Sequence, residues 1–214
     1  MVLAVSEFTK QKMIQQYNLA EEKIIVINNC IDPYLPVQAQ KQKDETLQKR
    51  YGFSYNDVVL ITLTRLSSKE LYKGYDHVLI SLNYLKERFP NIKYLIVGQY
   101  DAAEKKRLDE IIKQHSLQQY VVFTGFIPDE DLAKHYCLAD IYVMPSKKEG
   151  FGIVFIEAMH YGLPVIAGNK DGSVDALCNG RLGIFFLNPE SGPHTSIPCA
   201  YNTSFVFGDR SFIM

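Results

Sequence analysis

The sequence has no surplus of either charge, no paired-cysteine pattern and no long apolar run. With 23 basic and 24 acidic residues its formal net charge is -1, so no overall field draws the chain to nucleic acid. The apolar opening 1–5 lacks the basic residues of a signal peptide, and no stretch approaches the roughly 20 apolar residues of a membrane-spanning helix. The cysteines form no CxxC pair and have no histidine at metal-ligand spacing: Cys30, Cys137, Cys178 and Cys199. We therefore expect reduced thiols in a soluble, cytoplasmic protein.

Apolar residues make up 47% of the 214 residues and charged residues 22%, values typical of a folded globular protein with one domain and part of another. From residue 56 onward, short Val- and Ile-rich runs alternate with stretches of helical period, which predicts an α/β fold, a doubly wound parallel sheet of Rossmann-like type. The predicted strands are 58–64, 93–98, 121–124, 141–144, 164–167 and 183–187. The predicted helices are 75–88, 103–114, 130–138, 152–161 and 174–178. Ligands of such sheets bind beyond the carboxyl ends of the strands.

The two ends of the chain differ from this pattern. Residues 1–35 are predicted to form a strand to Val5, a helix over 8–17 capped by Ser6 and a strand over 23–27. This unit has no partner sheet in the sequence, so we expect it to be poorly anchored. A polar segment over 36–50 is interpreted as a linker or short helix, 51–190 as the main domain, and 191–214 as an atypical tail, disordered or non-native.

The segment 145–159 follows a predicted strand and opens a helix. Gly150 and Gly152 would let the backbone approach a ligand, and the free N–H groups of a helix start favour a phosphate. Glu149 and Glu157 are eight residues apart, and a carboxylate can accept both hydroxyls of a ribose. The alternative is that Glu149 only complements the helix dipole and Glu157 is a surface residue. The apolar neighbours of Glu157 argue against that, because an unpaired carboxylate there would be costly.

Glu149, Glu157 and the following Ala158-Met159 and Gly162-Leu163-Pro164 resemble the EX7E motif of the family 4 retaining glycosyltransferases. In these enzymes two Rossmann-like domains face each other across a cleft, the GT-B arrangement. The resemblance implies that this chain is the nucleotide-sugar-binding half, with 1–35 as a remnant of the acceptor domain. It implies a catalytic Glu149 that orients the sugar and its phosphate, and a Glu157 that binds the ribose. It further implies donor binding by a run after Glu149: Gly150, Phe151, Gly152 and Ile153.

Other segments resemble further blocks of the same family. Leu63-Thr64-Arg65-Leu66 and Lys73-Gly74 are similar to blocks whose Arg and Lys bind the donor diphosphate, although Thr64 replaces the usual Gly. The alternative is that Arg65 and Lys73 are solvated loop charges. Gly98 ends a block like the family's IVG strand, and Phe126 follows a VxFxG-like block expected to lie against the base. The segment 171–177 resembles the block after the EX7E helix, with Ser173 as a predicted N-cap.

The resemblance implies transfer of a sugar from a nucleotide diphosphate sugar with retention, and no cofactor or metal. Asp129-Glu130-Asp131 is interpreted as an acidic helix start rather than a metal-binding motif. The expected partners are the nucleotide-sugar and a sugar, lipid-linked or glycan acceptor bound through the absent domain, with no nucleic acid. Peripheral membrane association of the full enzyme is compatible with this expectation, and we expect no transfer by the isolated chain. Two alternatives stay open: a non-catalytic nucleotide-binding module, and a sugar-phosphate phosphorylase, which requires a lysine-bound pyridoxal cofactor.

Overall fold

The computed structural model describes residues 1–35 and 42–186, together with the backbone of 206–207 and 210–211. The elements in chain order are β1 (Val2–Ala4), α1 (Glu7–Tyr17), β2 (Ile24–Val26), α2 (Glu45–Tyr51), β3 (Val58–Leu63), α3 (Tyr75–Arg88), β4 (Ile92–Val97), α4 (Ala102–Gln114), β5 (Val121–Gly125), α5 (Asp129–Leu138), β6 (Ile141–Met144), α6 (Ile153–His160), β7 (Val165–Gly168), α7 (Ser173–Ala176), β8 (Ile184–Phe186), β9 (Val206–Phe207) and β10 (Arg210–Ser211). Short 3-10 turns lie at Glu21–Lys23 and Leu71–Lys73.

The predicted strands of the main domain form one sheet. Its order is β5-β4-β3-β6-β7-β8, and every neighbouring pair is parallel. The chain winds outward from β3 to β5 and then crosses to the other side at β6. The doubly wound, Rossmann-like prediction is therefore confirmed, and the observed strand ends lie within one residue of the predicted ones where the structure describes both. Such a sheet binds ligands at the carboxyl ends of the two strands where the winding reverses, here β3 and β6.

Both faces of the sheet are covered by helices. Val59 and Ile61 on β3 pack into one apolar cluster with residues of α2, α5, α6 and α7. Leu60, between them, packs into a second cluster with α3 and α4. Because successive strand residues point to opposite faces, this alternation explains why the strands read as continuous apolar runs.

Most helix starts lie one residue from the predicted positions, and two of them, those of α6 and α7, have a clear physical cause. Gly152 has a φ of 85°, which is outside the helical region, so α6 begins at Ile153 rather than at 152. Ser173 is the first residue of α7 rather than its cap. Its hydroxyl lies within hydrogen-bond distance of both the Gly168 carbonyl and the Asp171 carboxylate, while that carboxylate accepts the Ser173 N–H at 3.0 Å. The predicted cap at Ser173 is therefore wrong, because an upstream carboxylate, a stronger acceptor, takes that role.

The segment predicted as a linker, 36–50, contains most of helix α2. Asp44 caps this helix by accepting the Leu47 N–H at 2.9 Å, and Leu47 is buried in the main core beside Phe53. The described part of the segment is thus a short helix attached to the main domain, which agrees with the helix alternative of the sequence interpretation. Residues 36–41 lie outside the described residues.

The N-terminal unit has the predicted strand, helix and strand, with β1 and β2 paired in parallel. Ser6 caps α1 as predicted, by accepting the Thr9 N–H at 2.9 Å. The unit is held to the main domain: Val5 packs against the main core, and the start of α1 bonds to residues near 150 and 175. The first turn of α1 is thus attached to the main domain, whereas the apolar residues Leu3, Ile25 and Ile27 are exposed, as expected of a unit without its partner sheet.

The predicted tail, 191–214, lies outside the described residues except for the backbone of β9 and β10, which pair antiparallel. In the part of the chain that the structure describes, none of the helices has the length and apolar character needed to cross a membrane.

Candidate functional site

Two loops meet at the carboxyl ends of β3 and β6, where the winding of the sheet reverses. The loop after β3 ends at Gly74, which packs so closely on Pro145 that a Cβ there would lie 2.5 Å from the Pro145 carbonyl oxygen. The Lys147 N–H donates to the Tyr72 carbonyl at 2.9 Å. The two sequence blocks that hold Lys73 and Glu149 are therefore brought side by side.

Lys73 and Glu149 form an ion pair across these loops. The Lys73 Nζ lies 2.6 Å from Glu149 Oε1, and the two side chains are only 17% and 13% exposed. An ammonium group has three donors and an ionised carboxylate has two oxygens. Each partner can therefore keep this contact and bind a ligand atom as well. Lys73 is thus not the solvated loop charge of the alternative interpretation.

The backbone of Glu149 is fixed by a buried carboxylate that the sequence interpretation did not select. Asp171 is almost wholly buried and accepts the Glu149 N–H at 2.7 Å, while the Gly172 N–H donates to the Glu149 carbonyl at 2.8 Å. A side chain at Gly172 would collide with this peptide, since its Cβ would lie 2.0 Å from the Gly150 carbonyl oxygen. The available signal for Asp171 was its place in the block 171–177, because the similar block of the family resembled above begins with two glycines and this chain has an acid at the first of them.

The loop between Glu149 and the start of α6 presents free backbone donors next to the ion pair in sequence. Among the described residues, the N–H groups of Gly150 and Phe151 have no protein acceptor. The Phe151 side chain is buried in the core, so only its backbone can reach a ligand, whereas Ile153 is exposed. Free N–H groups and the positive end of the helix dipole together favour an anion.

Glu157 lies one turn into α6 and is partly buried. Its Oε2 accepts a hydrogen bond from the hydroxyl of Tyr136 at 2.9 Å. Tyr136 is buried, stacked on Tyr161 with ring centroids 5.2 Å apart, and desolvation raises the pKa of its hydroxyl. The neutral hydroxyl therefore holds one oxygen of Glu157 and leaves the other for a ligand. Sequence reasoning missed Tyr136, since an aromatic residue at that helical position indicates packing only.

Arg65 is exposed and loosely held. Its side chain is 80% exposed and pairs with Glu70 at 2.9 Å, an arrangement that contributes only about 0–1 kcal/mol. Asp101 ties the same loop to α4 by accepting the N–H groups of Ser68 and Glu104. These backbone bonds lower the pKa of Asp101. The loop is thus fixed at its base, while the Arg65 guanidinium can move to an incoming anion at little cost.

Gly98 and Phe126 lie farther along the same edge of the sheet. Gly98 follows β4 with a φ of 137°, and a Cβ there would lie 1.9 Å from the Thr64 carbonyl oxygen. Phe126 follows β5 and its side chain is 74% exposed. Since neighbouring strands are about 4.8 Å apart, these residues lie about two and three strand spacings from the end of β6. The structure therefore places them on the same edge as Glu149 but not in contact with it.

No group of three or more metal-ligating side chains occurs within the described ranges 1–35 and 42–186. The acidic run from Asp129 opens helix α5, in agreement with its interpretation as a helix start, and Asp131 pairs with Lys134 at 2.9 Å. The hollow beside Pro145 and Asn169 holds only about 10 Å³, room for about one water molecule. A ligand of nucleotide size is therefore too large for this hollow.

The chain matches a family model and several named proteins along much of its length. The model of the family described as glycosyl transferases group 1 matches residues 43–191. Mannosylfructose-phosphate synthase of Agrobacterium fabrum is 31% identical over 193 residues, which are 86% of this chain and 41% of that protein. The GDP-mannose-dependent alpha-(1-6)-phosphatidylinositol monomannoside mannosyltransferase of Mycolicibacterium smegmatis is 33% identical over 144 residues, 64% of this chain and 36% of that protein.

Among solved structures, the Anabaena protein HepE in complex with UDP-glucose superposes with a TM-score of 0.76 at 25% identity, covering 88% of this chain and 50% of that one. The chain thus spans half or less of the length of these proteins. Its Rossmann-like sheet corresponds to half of a GT-B structure, as the resemblance implied. Since the family match covers most of the sequence, the chain belongs to the group 1 glycosyl transferases.

Proposed function

We propose that this chain binds a nucleotide diphosphate sugar at the carboxyl edge of its sheet and forms the donor half of a retaining glycosyltransferase. One observation carries the proposal: a shielded Lys73–Glu149 pair, at 2.6 Å, followed by free N–H groups in the loop that leads into an eight-residue helix. Relatives named for GDP-mannose and a structure solved with UDP-glucose support the substrate class.

The diphosphate would bind where positive partners converge. Lys73 can donate to a phosphate oxygen while it stays bonded to Glu149, Arg65 can swing in from the loop, and the N–H groups of Gly150 and Phe151 add two neutral donors. During transfer, negative charge develops on the departing nucleoside diphosphate. Cations and backbone dipoles held in place before the reaction stabilise that charge. No metal or other cofactor is required for this stabilisation.

Glu149 is the proposed catalytic residue, because its second oxygen can accept a hydroxyl of the transferred sugar beside the phosphate. Glu157 is proposed to accept the two ribose hydroxyls on the oxygen that Tyr136 does not use. The base would then extend toward Gly98 and Phe126. This order, from sugar to base, follows the order of the strand ends from β6 to β5.

The acceptor, a sugar, a lipid-linked sugar or a glycan, is proposed to bind through a further domain, with peripheral membrane contact of the whole enzyme. We also propose a cytoplasmic site of action, in which the exposed thiols of Cys30 and Cys178 stay reduced.

Calorimetry in excess EDTA tests donor binding. Titration with UDP, GDP and ADP is expected to give binding of at least one nucleoside diphosphate without metal. Binding that appears only after Mg²⁺ or Mn²⁺ is added would assign the phosphate contacts to a metal and contradict the proposal. A visible absorbance band of bound pyridoxal would instead support the phosphorylase alternative.

The two glutamates are separated by a second titration. Glu157→Gln should weaken the binding of both the nucleoside diphosphate and the nucleotide-sugar, because both carry the ribose. Glu149→Gln should weaken mainly the binding of the nucleotide-sugar. Equal losses of both ligands in both variants would show that this division of roles is wrong. Retention is tested on a chain that includes the proposed acceptor domain, by NMR of the anomer first formed from the donor sugar, and inversion would refute it.

A further inference from the structure

The start of helix α1 is bonded to the loop that carries the proposed phosphate donors. The Ser6 hydroxyl lies 2.5 Å from the Gly150 carbonyl oxygen, and the Thr9 hydroxyl lies 3.1 Å from the same oxygen. A carbonyl oxygen can accept two hydrogen bonds. Ser6 is fully buried, so this contact is shielded from water.

A carboxylate from the main domain completes the attachment. Asp175 on α7 accepts the N–H of Glu7 at 2.9 Å and lies 3.5 Å from the N–H of Phe8. These two groups are among the first N–H groups of α1, which have no partner within their own helix. Asp175 thus caps α1 from a different part of the chain and holds its first turn against the loop.

The direction of the Phe151 N–H follows from this attachment. The peptide bond is planar and trans, so the C=O of Gly150 and the N–H of Phe151 point in opposite directions. Ser6 and Thr9 draw the Gly150 carbonyl toward α1, and the Phe151 N–H therefore points away from α1. The preceding peptide is fixed separately by Gly172, whose N–H donates to the Glu149 carbonyl.

We propose that Ser6 and Thr9 are positioning residues for the donor diphosphate: their hydroxyls orient the Gly150–Phe151 peptide so that its N–H can bind a phosphate oxygen. The inference rests on the proposed function of the loop. Neither hydroxyl contacts the ligand itself. Because α1 belongs to the unit assigned by resemblance to the acceptor half, it couples that half to the donor loop.

Removal of the hydroxyls tests this role. Thr9→Val keeps the shape of the side chain, and Ser6→Ala/Thr9→Val removes both bonds. The double variant is expected to raise the Kd of the best-bound nucleoside diphosphate about tenfold, while the Kd of the matching nucleoside changes less than about twofold, since only the phosphate contact depends on the peptide. Thr9→Ser retains a hydroxyl and should bind as the wild type does. Gln16→Ala, an exposed change on the same helix, serves as the matched control.

The two ligands separate positioning from a general effect on folding. Ser6 is also the cap of α1, and a loss of stability alone would weaken nucleoside and diphosphate binding together. Thr9→Val, which leaves the cap in place, is expected to raise the diphosphate Kd about threefold on its own, the size expected for one neutral hydrogen bond. The inference would be overturned if the ratio of the diphosphate Kd to the nucleoside Kd were the same in both variants as in the wild type. The proposed function would still stand in that case, because the wild-type chain would bind the diphosphate. Absence of any diphosphate binding by the wild-type chain would contradict the proposed function and the inference with it.

Discussion

The Lys73–Glu149 ion pair gives the sharpest test of the site geometry. Lys73→Met and Glu149→Gln each remove one charge at nearly constant size, and the double variant completes a thermodynamic cycle. The pair has an N–O distance of 2.6 Å and side chains mostly withdrawn from water. A hydrogen bond to a charged group contributes about 1.5–3 kcal/mol to stability. We therefore expect a coupling free energy of about 2 kcal/mol between the two positions.

Each single change leaves the opposite charge without its partner in a shielded position. The losses of unfolding free energy in the two single variants should therefore add up to more than the loss in the double variant. A loss of about 2 kcal/mol lowers the Tm of a domain of this size by roughly 4–8 °C. Urea unfolding followed by far-ultraviolet circular dichroism measures the free energies, because the sequence has no Trp to serve as a fluorescent probe.

The Arg65–Glu70 pair is the matched control. It belongs to the same loop, but the Arg65 side chain is 80% exposed, so Arg65→Met and Glu70→Gln should couple by less than about 1 kcal/mol. Additive effects at Lys73 and Glu149, with coupling below about 0.5 kcal/mol, would refute the reasoning. The two loops would then not be joined in solution as the structure has them.

Three further outcomes are expected. Tyr136→Phe removes the hydroxyl that donates to Glu157 and should lower stability by about 1–2 kcal/mol. It should also weaken the binding of ribonucleoside diphosphates more than the binding of their 2′,3′-dideoxy analogues. Equal losses of affinity would show that Glu157 does not bind the ribose. Gly172→Ala forces a Cβ onto the loop and should cost about 1–3 kcal/mol in a denaturation experiment, whereas Gly150→Ala, whose Cβ meets only atoms at 3.6 Å or more, should cost far less; similar costs would contradict the packing. Burial lowers the pKa of His135 below its ordinary 6.5. As pH falls, the unfolded chain therefore takes up a proton at this histidine before the folded chain does, and stability should decrease below about pH 6.5. A His135→Gln variant with the same pH dependence would exclude this histidine as the cause.

Local pattern was sufficient for most of the elements. The runs at 141–144 and 75–88 were predicted with their observed ends, because a strand buried on both faces requires a continuous apolar run and a helix packed on one side requires a stripe. The spacing of Glu149 and Glu157 likewise placed one carboxylate in a loop and the other on the following helix. The cap at Ser173 was mispredicted, since a local rule for Ser could not anticipate the stronger acceptor at Asp171.

The sequence alone thus determined the strand and helix pattern, the doubly wound class and the positions of the two loops proposed to bind the donor, because these depend on periodicity and on residues close in the chain. Only the tertiary structure decided how those loops are held. The bonds from Tyr136 to Glu157, from Glu149 to Asp171 and from Ser6 to Gly150 join residues 21, 22 and 144 positions apart. No periodicity encodes such pairs, since each depends on the packing of whole elements against one another. For the same reason the attachment of the first turn of α1 to the main domain was found only in the folded protein.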